Sequence, residues 1–229
     1  MKNYGIILAS GSGSRFNKDI PKQFVKIANK TILEHSIEVF EKSDSIDEII
    51  VVINPDFKDI SQKIIQKNNY KKVTKILNGG AIRKESSYIG ISSIDDKEAN
   101  ILIHDCARPF VTKEIIEKCT KALEKYSAAV VAIPTTDTIF TIKDNKILSI
   151  PNRDELMCAQ TPQCFKLSLI KKAHEMSKND ENFTDDCGLI IKNNLASIHI
   201  IQGSSDNIKI TYESDYYLAE KIFEKQQQR

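Results

Sequence analysis

Apolar residues occur in short, nearly unbroken runs, and between the runs they recur at helical spacing. Residues 4–9, 48–53, 73–77, 100–104 and 128–133 are runs of five or six residues rich in Ile and Val. That length and β-branching predict strands buried on both faces. Between them, residues 31–42 set Ile32, Leu33, Ile37 and Phe40 on one helical face, behind a Thr that can cap. Residues 56–67, 113–125 and, with a weaker pattern, 83–94 also read as helices. Alternating strands and helices predict a mostly parallel α/β sheet flanked by helices on both faces. Sheets of this kind bind ligands beyond the C-terminal ends of their strands.

The pattern changes after Pro134. Residues 137–142 and 146–150 are short alternating runs separated by Lys143-Asp144-Asn145, a turn signal, and they predict a projecting hairpin. Helices are expected at 167–177 and 185–193, a strand at 197–202 and a closing helix at 213–225. No internal repeat interrupts this order. The expectation is a single domain over residues 1–229, with residues 137–160 as a β-arm inserted into it.

Composition narrows the chemistry. The 229 residues are 41% hydrophobic and 28% charged, which excludes a disordered chain, and the net charge of +2 gives no basis for nucleic-acid or membrane-surface binding. Five Cys without a CxxC pair form neither a disulfide framework nor a zinc-site spacing. No run of 18 apolar residues exists, and the N-terminal apolar run is too short for a signal peptide, so the expected location is cytoplasmic. Only five of the 33 basic residues are Arg: Arg15, Arg83, Arg108, Arg153 and Arg229. In a Lys-dominated chain, each internal Arg marks a place where a guanidinium does what an ammonium cannot.

The first strand runs into Leu8-Ala9-Ser10-Gly11-Ser12-Gly13-Ser14-Arg15-Phe16, followed by Pro21-Lys22-Gln23-Phe24. A small-residue loop there presents backbone N–H groups to phosphate oxygens, and Arg15 and Lys22 add two cations. The spacing is not a P-loop, which needs Gly-Lys-Ser/Thr. Nor is it the dinucleotide fingerprint, since Phe16 stands where a third Gly is required. Further along come Gly79-Gly80-x-x-Arg83, His104-Asp105-Cys106-Ala107-Arg108-Pro109-Phe110, Asp137-Thr138, Arg153, Gln160-Thr161-Pro162-Gln163-x-Phe165, Thr184-Asp185-Asp186 and Asp206-Asn207-Ile208-Lys209-Ile210-Thr211.

In this order and spacing the segments resemble the cytidylyltransferases that activate sugar-alcohol phosphates. These include methylerythritol 4-phosphate cytidylyltransferases and ribitol 5-phosphate cytidylyltransferases. The resemblance covers nearly the whole chain. It implies a Rossmann-like α/β fold whose β-arm serves dimerisation, transfer of CMP from CTP to a polyol phosphate with release of pyrophosphate, and Mg²⁺ as the cofactor. Residue by residue, it implies that Arg15 and Lys22 grip the triphosphate and stabilise the transition state. Lys209 would sit between the α-phosphate and the acceptor phosphate. Ala9, Ser10, Gly11, Gly13, Gly80 and Ser86 would line the CTP site. Asp105 would serve the metal and the acceptor hydroxyls, and Arg108 and Thr138 the polyol. Arg153 and Thr161 would serve the acceptor phosphate, with Arg153 reaching a second subunit through arm exchange in a homodimer.

Other residues near these motifs read more simply. His104, ending a buried strand, is expected to be a structural hydrogen-bond partner. Asp185 and Asp186 are expected to cap a helix, and Cys106 to be a small filler. Ala81, Phe140 and Met157 depart from the methylerythritol pattern, which usually has Asp, Lys and Trp there. They shift the expected acceptor toward ribitol 5-phosphate or a similar linear polyol phosphate, with methylerythritol 4-phosphate as the alternative. An inert nucleotide-binding relative is the alternative of another class. The joint presence of Arg15, Lys22, Asp105 and Lys209 argues against it.

Overall fold

The computed structural model describes residues 1–11, 21–180 and 183–227. In chain order the elements are β1 (Lys2–Ala9), β2 (Lys26–Ile27), β3 (Lys30–Thr31), α1 (Ile32–Glu41), β4 (Glu48–Ile53), α2 (Lys58–Asn68), β5 (Val73–Asn78), α3 (Arg83–Ser92) and β6 (Ala99–Asp105). They continue with α4 (Lys113–Ala122), β7 (Ala128–Pro134), β8 (Thr141–Lys143), β9 (Lys146–Ser149), β10 (Met157–Lys166), α5 (Leu167–Met176), α6 (Asp186–Lys192), β11 (His199–Gln202) and α7 (Glu213–Gln227). Seven strands form the main sheet in the order β11-β7-β10-β6-β1-β4-β5. All neighbours are parallel except β10, which runs antiparallel between β6 and β7.

The strand period sorts side chains onto two cores. From β1, Ile7 and Ala9 join α1, α4 and α7 on one face, and Tyr4, Ile6 and Leu8 join α3, α5 and α6 on the other. From β4, Ile49, Val51 and Ile53 go to the first core, Ile50 and Val52 to the second. Both sheet faces are covered, so both alternating sets must be apolar, which is why these strands read as unbroken runs. Local signals set the helix ends. Thr31 Oγ1 accepts from the Glu34 N–H (3.2 Å), while a Glu34 carboxylate oxygen accepts from the Thr31 N–H (2.7 Å), a reciprocal box that starts α1.

The hairpin after Pro134 is present as β8 and β9. Asp144 and Asn145 have φ of 50° and 58°, the two left-handed positions of a tight hairpin turn. Its strands are exposed throughout. Strand β10 is absent from the sequence reading. Pro162 interrupts its apolar pattern, and Pro in a run argues against a central strand. The sheet tolerates it because the β7 ladder skips from Ala159 to Gln163. The buried polar side chains of Gln160, Thr161 and Gln163 disguise the rest of the strand.

Candidate active site

A cleft of about 630 Å³ opens at the C-terminal ends of β1, β4, β5 and β6. Its walls carry Ala9, Ser10 and Gly11 from the loop after β1, Asn54–Asp56 after β4, Gly79–Arg83 after β5, and Asp105–Ala107 from the end of β6. Lys22 and Lys209 complete it. A smaller cavity of about 180 Å³ adjoins it, lined among others by Arg108, Thr161, Thr184 and Lys209. The two cavities share Arg83, Asp105 and Lys209.

Asp105 is fixed from behind. Its N–H donates to Thr161 Oγ1 (3.1 Å), and that hydroxyl lies 2.9 Å from His104 Nδ1. His104 Nε2 is 3.1 Å from the Arg108 carbonyl oxygen, which can only accept, so Nε2 carries the hydrogen and Nδ1 accepts from Thr161. Burial lowers the His104 pKa to about 4, and the ring is a neutral bridge rather than a base. The sequence expectation of a structural His holds.

In front, each Asp105 oxygen meets a cation. Arg83 Nε is 3.1 Å from Oδ1 and Lys209 Nζ is 2.7 Å from Oδ2. Burial alone would raise this carboxyl, but Arg83 and Lys209 outweigh it and hold it well below the usual carboxylate range. Arg83 also donates from a terminal nitrogen to Asp186 Oδ2 (2.7 Å). The buried Asp186 is met on its other oxygen by the Ser87 hydroxyl (2.7 Å) and His174 Nε2 (2.9 Å). Burial opposes ionisation of Asp186 as well, yet Arg83 and His174 bring its pKa to about 2. The guanidinium therefore clamps two carboxylates, one of them at the junction of the cavities.

The side of the cleft formed by the ends of β1 and β5 is built by close approach. A Cβ on Gly79 would lie 2.4 Å from Ser10 Cβ, so only Gly lets these loops touch. Ser86 is buried beneath them. Its Oγ accepts from the Ser10 hydroxyl (2.8 Å) and the Gly80 N–H (3.2 Å), and it lines neither cavity itself. Lys22 Nζ donates to the Ile210 carbonyl (3.1 Å), tying the segment after the loop to the one that carries Lys209. Cys106 lines the cleft as a buried thiol whose pKa burial pushes up to about 12, consistent with a filler.

Of the sequence-predicted site residues, Ala9, Ser10, Gly11, Lys22, Gly80, Asp105 and Lys209 line the large cleft, and Asp105, Arg108, Thr161 and Lys209 line the small cavity. Arg108 spends its terminal nitrogens on the carbonyls of Asn207 (2.9 Å) and Ala159 (3.1 Å). Thr138 and Arg153 line neither cavity; they are exposed residues of the arm, and among the described residues Arg153 reaches the Thr136 carbonyl (3.4 Å). Gly13 and Arg15 lie outside the described residues. Asp185 caps α6, accepting from the Gly188 N–H (2.9 Å), as expected, whereas Asp186 is the buried anchor of Arg83. The sequence reading left Arg83 without a role. Its signals were its rarity as an internal Arg, its place in the Gly79-Gly80-x-x-Arg83 segment, and its position, since a cation in the first turn of a helix opposes the helix dipole and calls for carboxylate partners.

The family profile described as 2-C-methyl-D-erythritol 4-phosphate cytidylyltransferase (IspD) matches residues 4–225. A protein of that name from Clostridium botulinum (strain 657 / Type Ba4) is 42% identical over 227 residues, 98% of each chain. The bifunctional ribulose 5-phosphate reductase/CDP-ribitol pyrophosphorylase Bcs1 of Haemophilus influenzae is 40% identical over 97% of this chain and 48% of its own length. Among solved structures, the 4-diphosphocytidyl-2C-methyl-D-erythritol synthase of Anaerococcus prevotii DSM 20548 superposes with a TM-score of 0.86 at 30% identity, covering 97% of this chain and 96% of the other.

Proposed function

The chain belongs to the 2-C-methyl-D-erythritol 4-phosphate cytidylyltransferase family, and from that membership we propose that its acceptor is 2-C-methyl-D-erythritol 4-phosphate. It is a CTP-dependent nucleotidyltransferase acting on a polyol phosphate. The observation that carries the site assignment is the pair of cavities meeting at Asp105, Arg83 and Lys209, one large enough for a nucleotide and one for a short phosphorylated polyol.

The acceptor assignment replaces the ribitol-type expectation from the sequence. Of the three departures behind that expectation, Ala81 lines the nucleotide cleft and Phe140 and Met157 lie in or beside the arm; none lines the small cavity. The Haemophilus relative keeps ribitol 5-phosphate as the second reading.

In the proposed reaction an acceptor phosphate oxygen attacks the α-phosphorus of CTP. A phosphorus–oxygen bond to the acceptor forms as the α–β bond breaks and pyrophosphate leaves. Both partners are anions, so the protein's work is positioning and charge stabilisation. Lys22, on the cleft wall, serves the triphosphate, and the family resemblance gives Arg15 the same role. Lys209, half exposed beside Asp105, serves the attacking and attacked phosphates together. Arg108 and Thr161 bound the acceptor.

The donor set suits Mg²⁺. Among the described residues no three His, Cys, Asp or Glu converge, but Mg²⁺ takes one or two carboxylates plus substrate phosphates and water. Asp105, kept ionised by its cations, would hold it together with the triphosphate. When bound, the ion screens phosphate charge. Thr138 and Arg153 act through a homodimer in which the exposed arm, carrying Phe140, Ile142, Leu148 and Ile150, seats on a second copy and brings them to its acceptor cavity.

The test is pyrophosphate release with CTP, Mg²⁺ and methylerythritol 4-phosphate, ribitol 5-phosphate, ribulose 5-phosphate or glycerol 3-phosphate in turn. Release with the first alone is expected. Turnover with ribitol 5-phosphate instead would establish the second reading, and silence with all four would overturn both.

A further inference from the structure

Gln23 lines the nucleotide cleft between Lys22 and the core residue Phe24, is 4% exposed, and its buried Nε2 has no hydrogen-bond partner among the described residues. A buried amide donor without a partner is rare in folded proteins and calls for an explanation, which a ligand in the adjoining cleft supplies. The short helical turn that carries it is held on both sides. Phe24 packs edge-on against Phe57 (5.7 Å between ring centres), and the Phe24 and Val25 N–H groups return to the Pro21 and Lys22 carbonyls (2.9 and 3.1 Å). Beyond it, the Ile32 N–H closes onto the Val25 carbonyl (3.0 Å) and joins the turn to the start of α1. Gln23 is thus fixed in place by packing that leaves its Nε2 without a partner among the described residues. The neighbouring cleft walls are a small-residue loop and two lysines, a surroundings for phosphate oxygens, which accept what an amide N–H donates.

We propose that Gln23 is a phosphate ligand, donating from its side-chain amide to an oxygen of the bound triphosphate. This rests on the nucleotidyltransferase reading of the same cleft. It adds to Lys22 a neutral, directional donor, which fixes where the triphosphate lies rather than only attracting it.

The test uses the full chain and measures dissociation constants for CTP, CMP and inorganic pyrophosphate with Mg²⁺ present, alongside the thermal midpoint of the ligand-free protein. Gln23→Met keeps the volume and removes the donor. It should weaken CTP about tenfold and leave the ligand-free midpoint equal or higher, because a buried unpaired group has been removed. Gln23→Glu keeps the shape, removes the donor and adds repulsion, and should weaken CTP further than Met. A parallel loss for CMP assigns the contact to the α-phosphate, and a parallel loss for pyrophosphate assigns it to the leaving group; either supports the proposal. CTP affinity of Gln23→Met within twofold of wild type would overturn it. So would a lowered ligand-free midpoint accompanying the loss, which would make Gln23 a structural residue. A wild-type protein that binds neither CTP nor pyrophosphate would overturn the reading of the cleft itself.

Discussion

Lys209 Nζ stands 2.7 Å from Asp105 Oδ2, at the point where the large cleft meets the smaller cavity. Arg83 holds the other oxygen of the same carboxylate. The two cations differ in freedom. Arg83 is committed to Asp186 as well, while Lys209 is half exposed and can exchange its carboxylate for phosphate oxygens as substrates arrive.

Lys209→Ala should therefore cut turnover about 10²–10³-fold, the size of losing one donor aimed at developing charge, with little change in stability, since a partly exposed ion pair contributes about 0–1 kcal/mol. Steady-state kinetics and thermal unfolding on one preparation check both parts. A turnover near wild type would remove Lys209 from the reaction.

Asp186→Asn should destabilise the protein by about 3–5 kcal/mol at neutral pH, because it leaves the buried Arg83 partly unpaired. The pH dependence has a definite sign. The folded pKa of Asp186, about 2, lies below the unfolded value, which is roughly 3.9. Its stabilisation is thus fully present above about pH 4 and is lost as pH falls toward 2. Urea unfolding from pH 7 down to 3 should show a shallower acid decline for the variant, with Asp105 still supplying part of the slope. Parallel curves would contradict the ionised, Arg83-paired state.

Thr161→Val removes the hydroxyl shared by the Asp105 N–H and His104 Nδ1. Each group left unpaired should cost about 1–3 kcal/mol, and turnover should fall because Asp105 loses its backing. Thr161→Ser, which keeps the hydroxyl, should restore most of both. Equal damage in Ser and Val would assign the effect to the methyl group instead.

The arm supplies a prediction about assembly. Ile142→Lys with Leu148→Lys places charges on two exposed arm residues that touch no core. Sedimentation should shift from dimer to monomer with an unchanged circular dichroism spectrum. Activity should drop if, as proposed, the homodimer is what brings Thr138 and Arg153 to an acceptor cavity. A fully active monomer would show that neither residue works across subunits.

Much of the scaffold was legible in the chain. The four parallel strands whose ends form the cleft, strand β7, the Thr31 cap, the Asp144-Asn145 turn and the small-residue loop after β1 all depend on near neighbours and on side-chain period, which a linear sequence carries directly. Asp105 was legible too, as a carboxylate closing an apolar strand. Strand β10 was hidden because its inward residues Gln160, Thr161 and Gln163 are polar, and they are stable in the interior only through partners on other segments: Ser204 and Asn207 for Gln160, His104 and Asp105 for Thr161, and Asp185 for Gln163.

The opening pattern of apolar runs thus determined, by itself, the strands β1, β4, β5, β6 and β7, the helices between them and the sheet edge at which the cleft opens, because period and capping act over a few residues. Tertiary structure alone decided that Arg83 binds both Asp105 and Asp186, that Ser86 supports the cleft from beneath, and that Gln23, beside the cleft, has a buried amide nitrogen with no partner among the described residues. Those facts depend on which distant side chains the packed sheet brings within hydrogen-bond range, and on the burial that makes an unpaired donor or an ionised carboxylate costly enough to require a partner.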